Sequence, residues 1–239
     1  MPYYYYGFDW TYLVLVLPVL ILSLVANAKV NSTFQRYSSQ LSSRRITGAQ
    51  AAQRVLLASG VSGVRIERVS GNLSDHYDPK SNIIRLSENV YDSTSTAAIG
   101  VACHEAGHAV QYAQNYGPIK LRAAIIPATN IGSKLAMPLI LIGILVTSLG
   151  EFSTLLIYAG IACFSLSLIF QLVTLPVEFN ASRRAMNIID DTQMLNDDER
   201  IGARKTLTAA AMTYVVATLA AFTQLLRLIL LFGGRRRRD

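Results

Sequence analysis

The feature that most constrains the fold of this chain is a set of four long apolar runs. They occupy residues 11–28, 136–150, 153–175 and 206–232, and only the last of them contains a charged residue, Arg227. A helix rises about 1.5 Å per residue, so about 20 apolar residues cross the roughly 30 Å of hydrocarbon in a bilayer. Lipid offers no hydrogen bonds to the backbone, so such runs must be helical. The pattern therefore predicts a mostly α-helical membrane protein.

The first run predicts a retained N-terminal transmembrane anchor over residues 1–28. Aromatic residues at positions 3–6, 8 and 10 precede it, which is typical of the belt at a membrane–water interface. A cleaved signal peptide is the alternative. Such a peptide usually starts with positive charge, whereas the first basic residue here is Lys29, after the run.

The second and third runs predict a transmembrane helical hairpin over residues 135–177, because only Glu151 and Phe152 part them. The first arm is short for a span unless it begins near residue 135. Residues 119–135, interrupted by Pro127, predict helical pieces near the membrane surface. The last run is the least typical span, because it carries several threonines, a glutamine and Arg227. We expect a C-terminal membrane helix and basic tail over residues 206–239, after a polar segment at 178–205.

Residues 29–134 are mostly polar and predict a small α+β domain outside the membrane. Residues 47–59 form an amphipathic pattern with Thr47 as N-cap and Gly60 as terminator. Residues 64–69 and 83–86 are strand candidates, and residues 71–79 between them are rich in turn formers.

The strongest chemical motif is His104-Glu105-Ala106-Gly107-His108. On a helix, residues four apart share a face, so the two imidazoles can bind one Zn²⁺ and Glu105 can act beside it as a general base. Two of the three histidines of the chain lie in this motif. N-cap candidates at residues 92–96 and a stop at residues 117–118 favour a helix.

A catalytic zinc commonly has three protein ligands, so another residue must complete the site. Glu178 is the strongest candidate, because it is an acidic residue placed directly after the returning arm of the hairpin. Residues 29–134 are therefore expected to form a zincin-like catalytic domain, and residues 178–205 a third-ligand segment. His76 is the alternative third ligand, and Asp75 and Asp78 are weaker ones. An interfacial carboxylate paired with a nearby arginine is the alternative role for Glu178.

Three segments together resemble a known family. They are His-Glu-Ala-Gly-His-Ala-Val-Gln at 104–111, Asp-His-Tyr-Asp-Pro at 75–79 and Glu-Phe-Asn-Ala-Ser-Arg-Arg-Ala at 178–185. The chain is similar in these segments to the YugP-type bacterial membrane zinc metallopeptidases, and more distantly to the HtpX and CAAX-processing membrane proteases. The resemblance implies His104, His108 and Glu178 as zinc ligands and Glu105 as the base. The more distant families often have an aspartate four residues after the glutamate ligand, where this chain has Ser182.

These observations predict a zinc metalloendopeptidase that hydrolyses peptide bonds of membrane or membrane-proximal proteins by zinc-activated water, with Glu105 as the general base. His76 is a further candidate catalytic residue, as a donor to the oxyanion, and Tyr77 is its neighbour in that role. Cys103 is expected to be a packing residue. The non-enzymatic alternative is a membrane scaffold with a structural zinc. An intramembrane protease, with the His104 helix inside the bilayer, is another alternative. Accessibility of Cys103 to a membrane-impermeant thiol reagent is expected to distinguish a helix inside the bilayer from one outside it.

The charge distribution predicts topology and not nucleic-acid binding. The net charge is +7, but basic residues cluster beside the apolar runs. Their count places the active site on the cytoplasmic side of a bacterial membrane in a multi-pass protein, although the arginine run at 235–238 argues the other way. The expected partners are a protein or peptide substrate and the lipid bilayer, with self-assembly or a membrane scaffold partner left open.

Overall fold

The computed structural model describes residues 9–71 and 74–233, and the aromatic residues 3–6 and 8 and the arginine run 235–238 lie outside them. In chain order, the elements are a π-helical turn at Tyr12–Val16, α1 (Leu17–Ser38), α2 (Gly48–Ala58), β1 (Arg65–Val69), β2 (His76–Asp78), β3 (Ile83–Ser87), α3 (Glu88–Tyr91), α4 (Thr96–Ala113), α5 (Gly117–Leu145), a 3₁₀ turn at Thr147–Leu149, α6 (Glu151–Asp191) and α7 (Asp197–Phe232). The mostly helical fold with one small sheet is as predicted.

Four helical segments of the described chain are long and apolar enough to cross a membrane: Tyr12–Ser38, Gly117–Leu145, Glu151–Asp191 and Asp197–Phe232. They include the predicted N-terminal anchor, both arms of the hairpin and the C-terminal membrane helix. The chain divides into two compact units. Among the described residues, the first unit contains 9–25, 121–174 and 214–233, and the second contains 26–71, 74–120 and 175–213.

In the first unit, small residues allow α5 and α6 to pack closely. A Cβ added at Gly143 would lie 2.6 Å from the Ile157 side chain, and one at Gly160 would lie 2.8 Å from the carbonyl oxygen of Ala136. Ser153 Oγ donates to the carbonyl of Gly143 at 2.6 Å. In membranes, where hydrophobic burial does not favour helix association, such close packing holds helices together.

The hairpin turn and the first arm differ from the prediction. Glu151 begins α6, and the turn lies at residues 146–150, where Gly150 has a φ of +56°. An acidic residue is favoured in the first turn of a helix. The predicted helical pieces at 119–135 are also wrong, because α5 is one helix that contains Pro127 and Pro138. Prolines are tolerated in membrane helices, where neighbouring groups satisfy the backbone carbonyls that they leave unbonded.

The charged residue in the last apolar run has a partner within the same unit. Arg227 Nε donates to Asp9 Oδ2 at 2.9 Å, and its guanidinium lies 5.4 Å from the centroid of the Tyr12 ring. Ionisable groups inside membrane segments are costly unless they are paired. The ion pair therefore explains how α7 accommodates an arginine.

In the second unit, the sheet has the order β1-β3-β2. Central β3 pairs in parallel with β1, with Ile84 opposite Ile66, and antiparallel with β2, with Ile84 also opposite Tyr77. The two predicted strands are confirmed as β1 and β3. The prediction of a loop at residues 71–79 is wrong for β2, because three paired residues are too few to produce a readable alternation.

Helices α2 and α4 enclose the core of this unit with β3. The predicted α2 is confirmed with its cap: the Thr47 side chain accepts from Gln50 N at 3.2 Å, and the Gln50 side chain accepts from Thr47 N at 3.1 Å. The fully buried core side chains include Val55, Leu56, Ile84, Leu86, Val90, Ile99 and Ile189.

At the start of α7, buried Glu199 fixes two backbone segments. Its Oε1 accepts from Ser43 N at 2.6 Å and its Oε2 accepts from Asn196 N at 3.0 Å. The carboxylate of Glu199 is buried, and a buried polar group without its hydrogen bonds costs free energy. Glu199 therefore holds the segment that follows α1 against the start of α7.

Candidate metal centre

Helix α4 positions the histidine motif, and both of its ends are fixed by local hydrogen bonds. At the start, Ser95 Oγ accepts from Ala98 N at 3.2 Å. At the end, Tyr116 N donates to the carbonyl of Gln111 at 2.9 Å, and Asn115 has a φ of +56°. This is a Schellman motif, in which asparagine takes the left-handed position more often held by glycine. The predicted stop at Gly117–Pro118 is wrong, because these residues begin α5.

His104 and His108 lie on one face of α4, as their spacing predicts. Their ring centroids are 4.7 Å apart and the rings meet edge to face. His108 is buried, whereas His104 is partly exposed. Both Nε2 atoms are directed to the same acidic residue, which comes from α6.

That residue is Glu178, whose side chain is 2% exposed. Its Oε2 lies 3.2 Å from His104 Nε2 and 3.5 Å from His108 Nε2. The ligand atoms of the three residues all lie within 4.8 Å of one another, and they form the one such group of three in the described residues. The structure thus brings together the three residues predicted as zinc ligands.

Gly107 allows α4 and α6 to come this close. A Cβ at this position would lie 2.8 Å from the carbonyl oxygen of Ala181 and 3.3 Å from its Cα and carbonyl carbon. All three are backbone atoms of α6, which cannot rotate away as a side chain can. The glycine inside the motif therefore permits the helix contact that places Glu178 beside the imidazoles.

The Nδ1 atoms of both histidines have partners of their own. His104 Nδ1 lies 3.1 Å from Ser182 Oγ, and His108 Nδ1 lies 3.0 Å from Gln111 Oε1. Gln111 Nε2 in turn donates to the carbonyl of Val177 at 2.8 Å and to Asn180 Oδ1 at 2.9 Å. Such partners orient metal-binding imidazoles. Ser182 supplies a hydroxyl where the more distant families often have a carboxylate.

Glu105 lies beside the cluster and is held by β2. Its Oε2 accepts from the backbone N–H of Tyr77 at 3.0 Å. The Tyr77 hydroxyl donates instead to Asn82 Oδ1 at 2.7 Å. Tyr77 therefore contacts the candidate base through its backbone and not through its phenol.

The other candidates from the β2 segment lie outside the group of three ligand residues. His76 is exposed, and its Nδ1 is 2.7 Å from the carbonyl oxygen of Ser74. Asp75 accepts from Ser87 N at 2.7 Å, and Asp78 pairs with Arg85 at 3.1 Å. Among the four candidates for the third ligand, Glu178 is the one grouped with both imidazoles. A catalytic role for His76 stays a prediction.

The electrostatics of the site favour positive charge. Burial by itself lowers the pKa of His108, but its hydrogen bond to Glu178 and the negative charges of Glu105 and Glu178 outweigh this and raise the pKa. Burial raises the pKa of Asp75, against hydrogen bonds from Ser87, and the charge of Glu105 adds to the increase. The negative charges of Glu105 and Glu178 therefore favour a proton or a cation at this site.

The residues fit a zinc ion by the chemistry of their donors. Two imidazole nitrogens and one carboxylate oxygen form one of the ligand sets of catalytic zinc, which leaves a position for water. A structural site normally has four protein ligands. Cys103, which could have supplied one, is fully buried and its pKa is raised by burial. Because Cys103 is buried inside the protein, thiol labelling of this residue would report protein packing. It could not distinguish a helix inside the bilayer from one outside it.

Several residues of the site were not identified from the sequence. No individual role is predicted above for three residues that lie within the motif segments: Gly107, Gln111 and Asn180. Gln111 could have been noticed, because a polar residue seven positions after His104 lies on the same helix face. The role of Asn180 depends on how α6 crosses α4, which no local pattern contains.

Comparisons with known proteins agree with this geometry. A family model described as "Putative neutral zinc metallopeptidase" matches residues 12–233. The chain is 45% identical over 225 residues to the "Putative membrane protease YugP" of Bacillus subtilis (strain 168), an alignment that covers 94% of this chain and 98% of the relative. No solved structure matches. The chain belongs to the neutral zinc metallopeptidase family that this model describes.

Proposed function

We propose that this protein is a membrane-embedded zinc metalloendopeptidase whose ligands are His104, His108 and Glu178 and whose general base is Glu105. The observation that carries the proposal is the placement of a 2% exposed carboxylate from α6 within 3.5 Å of both imidazoles of the α4 motif. Burying a carboxylate costs several kcal/mol unless charge or hydrogen bonds compensate. A divalent cation held by all three side chains would supply that compensation.

When bound, a zinc ion supplies Lewis acidity, which polarises a carbonyl and lowers the pKa of water. The chain supplies proton transfer and positioning. Glu105 is directed by the N–H of Tyr77 at its Oε2, so that its Oε1 is the oxygen suited to accept a proton and return it to the leaving nitrogen. Ser182 and Gln111 hold the two imidazoles in orientation. His76, exposed at the start of β2, is the proposed donor to the developing oxyanion.

The proposed substrates are membrane or membrane-proximal proteins. Support comes from the four candidate spans in the same chain as the site and from the name of the Bacillus relative, a membrane protease. We infer a multi-pass protein of the bacterial cytoplasmic membrane with its site on the cytoplasmic side, on the count of basic residues beside the spans. Self-assembly or a membrane scaffold partner is part of the same proposal.

The Glu105→Gln variant tests the proposed chemistry. It removes the proton acceptor but leaves the three ligands, so we expect bound zinc at the wild-type ratio and a loss of proteolysis of at least about 100-fold. Membrane fractions of cells expressing each form are compared by proteomics for fragments that require Glu105. Glu88→Gln is a matched control, because Glu88 is exposed and pairs with Arg68 at 3.5 Å. Undiminished cleavage by purified Glu105→Gln would remove Glu105 from the mechanism.

A further inference from the structure

We infer that Gln111 is a positioning residue that holds His108 in the tautomer with the proton on Nδ1 and so keeps the Nε2 lone pair directed at the metal position. The inference rests on the proposed zinc site. It assigns a role to a buried amide that lies one turn beyond the motif and is 0% exposed.

The orientation of the Gln111 amide follows from a neighbour that can only accept. The carbonyl of Val177 lies 2.8 Å from one end of the amide. A backbone carbonyl has no proton to give, so that end must be the NH₂ group. The oxygen of the amide is therefore the atom that faces His108 Nδ1 at 3.0 Å.

A second, independent constraint gives the same orientation. The guanidinium of Arg184 donates through Nε to Asn180 at 2.7 Å, and arginine can only donate. The atom of Asn180 at that contact must be its oxygen, Oδ1. The same oxygen receives the NH₂ group of Gln111 at 2.9 Å. Two obligate partners, one acceptor and one donor, thus fix the amide in the same direction.

The consequence reaches His108. Because Gln111 presents only an acceptor, the hydrogen bond at 3.0 Å requires a proton on His108 Nδ1. Without a metal ion, Nε2 also faces an acceptor, the Glu178 carboxylate at 3.5 Å, so the two acceptors compete for the proton of a neutral ring. When a cation is held by the three ligand residues, the proton stays on Nδ1 and Nε2 presents its lone pair to the cation.

The Nδ1 partner of His104 imposes no equivalent constraint. Its Nδ1 lies 3.1 Å from the hydroxyl of Ser182, and a hydroxyl can rotate to donate or accept. The tautomer of His104 is therefore compatible with its partner in either form. Of the two histidines, the one with a fixed tautomer is also the more buried: the side chain of His108 is 11% exposed and that of His104 is 15% exposed.

Two substitutions at Gln111 separate this role from packing. Gln111→Met has a similar length but no acceptor, so we expect the affinity for zinc to fall about 10–100-fold, the typical effect of losing such an outer partner. Gln111→Glu keeps an oxygen facing His108 but loses both N–H donors. We expect its affinity to remain closer to wild type than to Gln111→Met.

Zinc affinity is measured by competition with a chromophoric chelator, on the full-length chain in detergent. Gln114→Met is the matched control, because the Gln114 amide contacts Arg184 and not an imidazole; its affinity should equal that of wild type. Wild-type affinity for Gln111→Met would overturn the inference. So would a Gln111→Glu protein as weak as Gln111→Met, because the amide would then act through its donors to α6.

A measurement on the unsubstituted protein decides the matter if a variant does not fold. The chain has three histidines, so selective ¹⁵N-histidine labelling gives three imidazoles to assign. In zinc-loaded protein, we expect long-range ¹H–¹⁵N correlations to show His108 protonated at Nδ1. A zinc-loaded protein in which His108 Nδ1 carries no proton would overturn the inference. Failure of the proposed function gives a different result, since wild type itself would then bind no zinc or cleave no substrate.

Discussion

Gly107 of α4 packs against the backbone of α6. One methyl group added at this position therefore changes the distance between the histidines on α4 and Glu178 on α6. In Gly107→Ala, the new Cβ would lie 2.8 Å from the carbonyl oxygen of Ala181, about 0.6 Å short of ordinary van der Waals contact, which begins at 3.4 Å. The atoms it meets belong to the backbone of α6. The substitution must therefore move α6 away from α4 or strain both helices.

The displacement reaches the metal position because Ala181 and Glu178 are three residues apart on one face of α6. Ligand distances in metal sites are held to within about 0.2 Å, so a shift of about 0.6 Å exceeds the tolerance roughly threefold. Overpacking typically costs about 1–3 kcal/mol. Zinc binding would have to pull Glu178 back toward the histidines against this strain. At about 1.4 kcal/mol per factor of ten, the affinity for zinc should then fall about 5–150-fold.

The stability of the zinc-free protein should change much less. Alanine stabilises a helix by up to about 1 kcal/mol relative to glycine, which offsets part of the strain once α6 has moved. The assay is chelator competition for zinc affinity, together with thermal unfolding with and without zinc. Gly100→Ala is the control on the same helix, because its Cβ would lie 3.3 Å from Ala203, a much milder contact with α7. Equal zinc affinities for Gly107→Ala, Gly100→Ala and wild type would refute the reasoning.

Three further predictions concern single side chains. Glu178→Ala removes a ligand, and we expect zinc affinity to fall by more than about 100-fold, beyond the loss typical of an outer partner; a 1:1 zinc content after dialysis against a weak chelator would contradict this. Native Cys103 should not react with maleimide in a Cys163→Ser background, because it is fully buried and burial raises its pKa, and it should react fully in denaturant. Mass spectrometry of the labelled protein measures both states, and native labelling would show that α4 opens. Glu199→Ala deprives two backbone N–H groups of their acceptor, so the free energy of unfolding should fall by about 1–3 kcal/mol, and an unchanged melting temperature would disprove this role.

The parts of the fold that could be predicted are those with a local physical cause. Long uncharged runs indicated the membrane helices, because the backbone in lipid has few alternatives. Thr47 and Gln50 indicated the start of α2, because a capping box is complete within four residues. The predicted stop of α4 at Gly117 and Pro118 is wrong, because Asn115 in the left-handed region follows the end of the helix and Pro118 lies in the first turn of the next helix, where proline is well tolerated.

The parts of the site that could be predicted are those for which residue type and spacing alone indicate the chemistry. Histidines four apart on a helix, and a carboxylate after an apolar run, indicated three residues that lie together in the structure. The hydrogen bonds of Asn180 and Ser182 were not predictable, because they depend on the rotation of α6 about its axis relative to α4. A three-residue strand such as β2 was also out of reach, although its backbone holds Glu105.

The same helical period links all the parts of the site on α4. His104, Gly107, His108 and Gln111 stand at positions i, i+3, i+4 and i+7, so one face contains a proposed ligand, a contact glycine, a second proposed ligand and the amide that contacts it. All four contact α6 directly: His104 and His108 at Glu178, Gly107 at Ala181 and Gln111 at Val177.

The residues of α6 that contact this face of α4 also follow the helical period. Glu178, Ala181 and Ser182 also stand at i, i+3 and i+4, and they supply the carboxylate, the close backbone contact and the hydroxyl partner of His104. The metal position is therefore a property of a helix crossing and not of the five-residue motif alone. In this chain, a larger residue at position 107 would prevent α6 from lying this close to α4 and would move Glu178 away from both imidazoles.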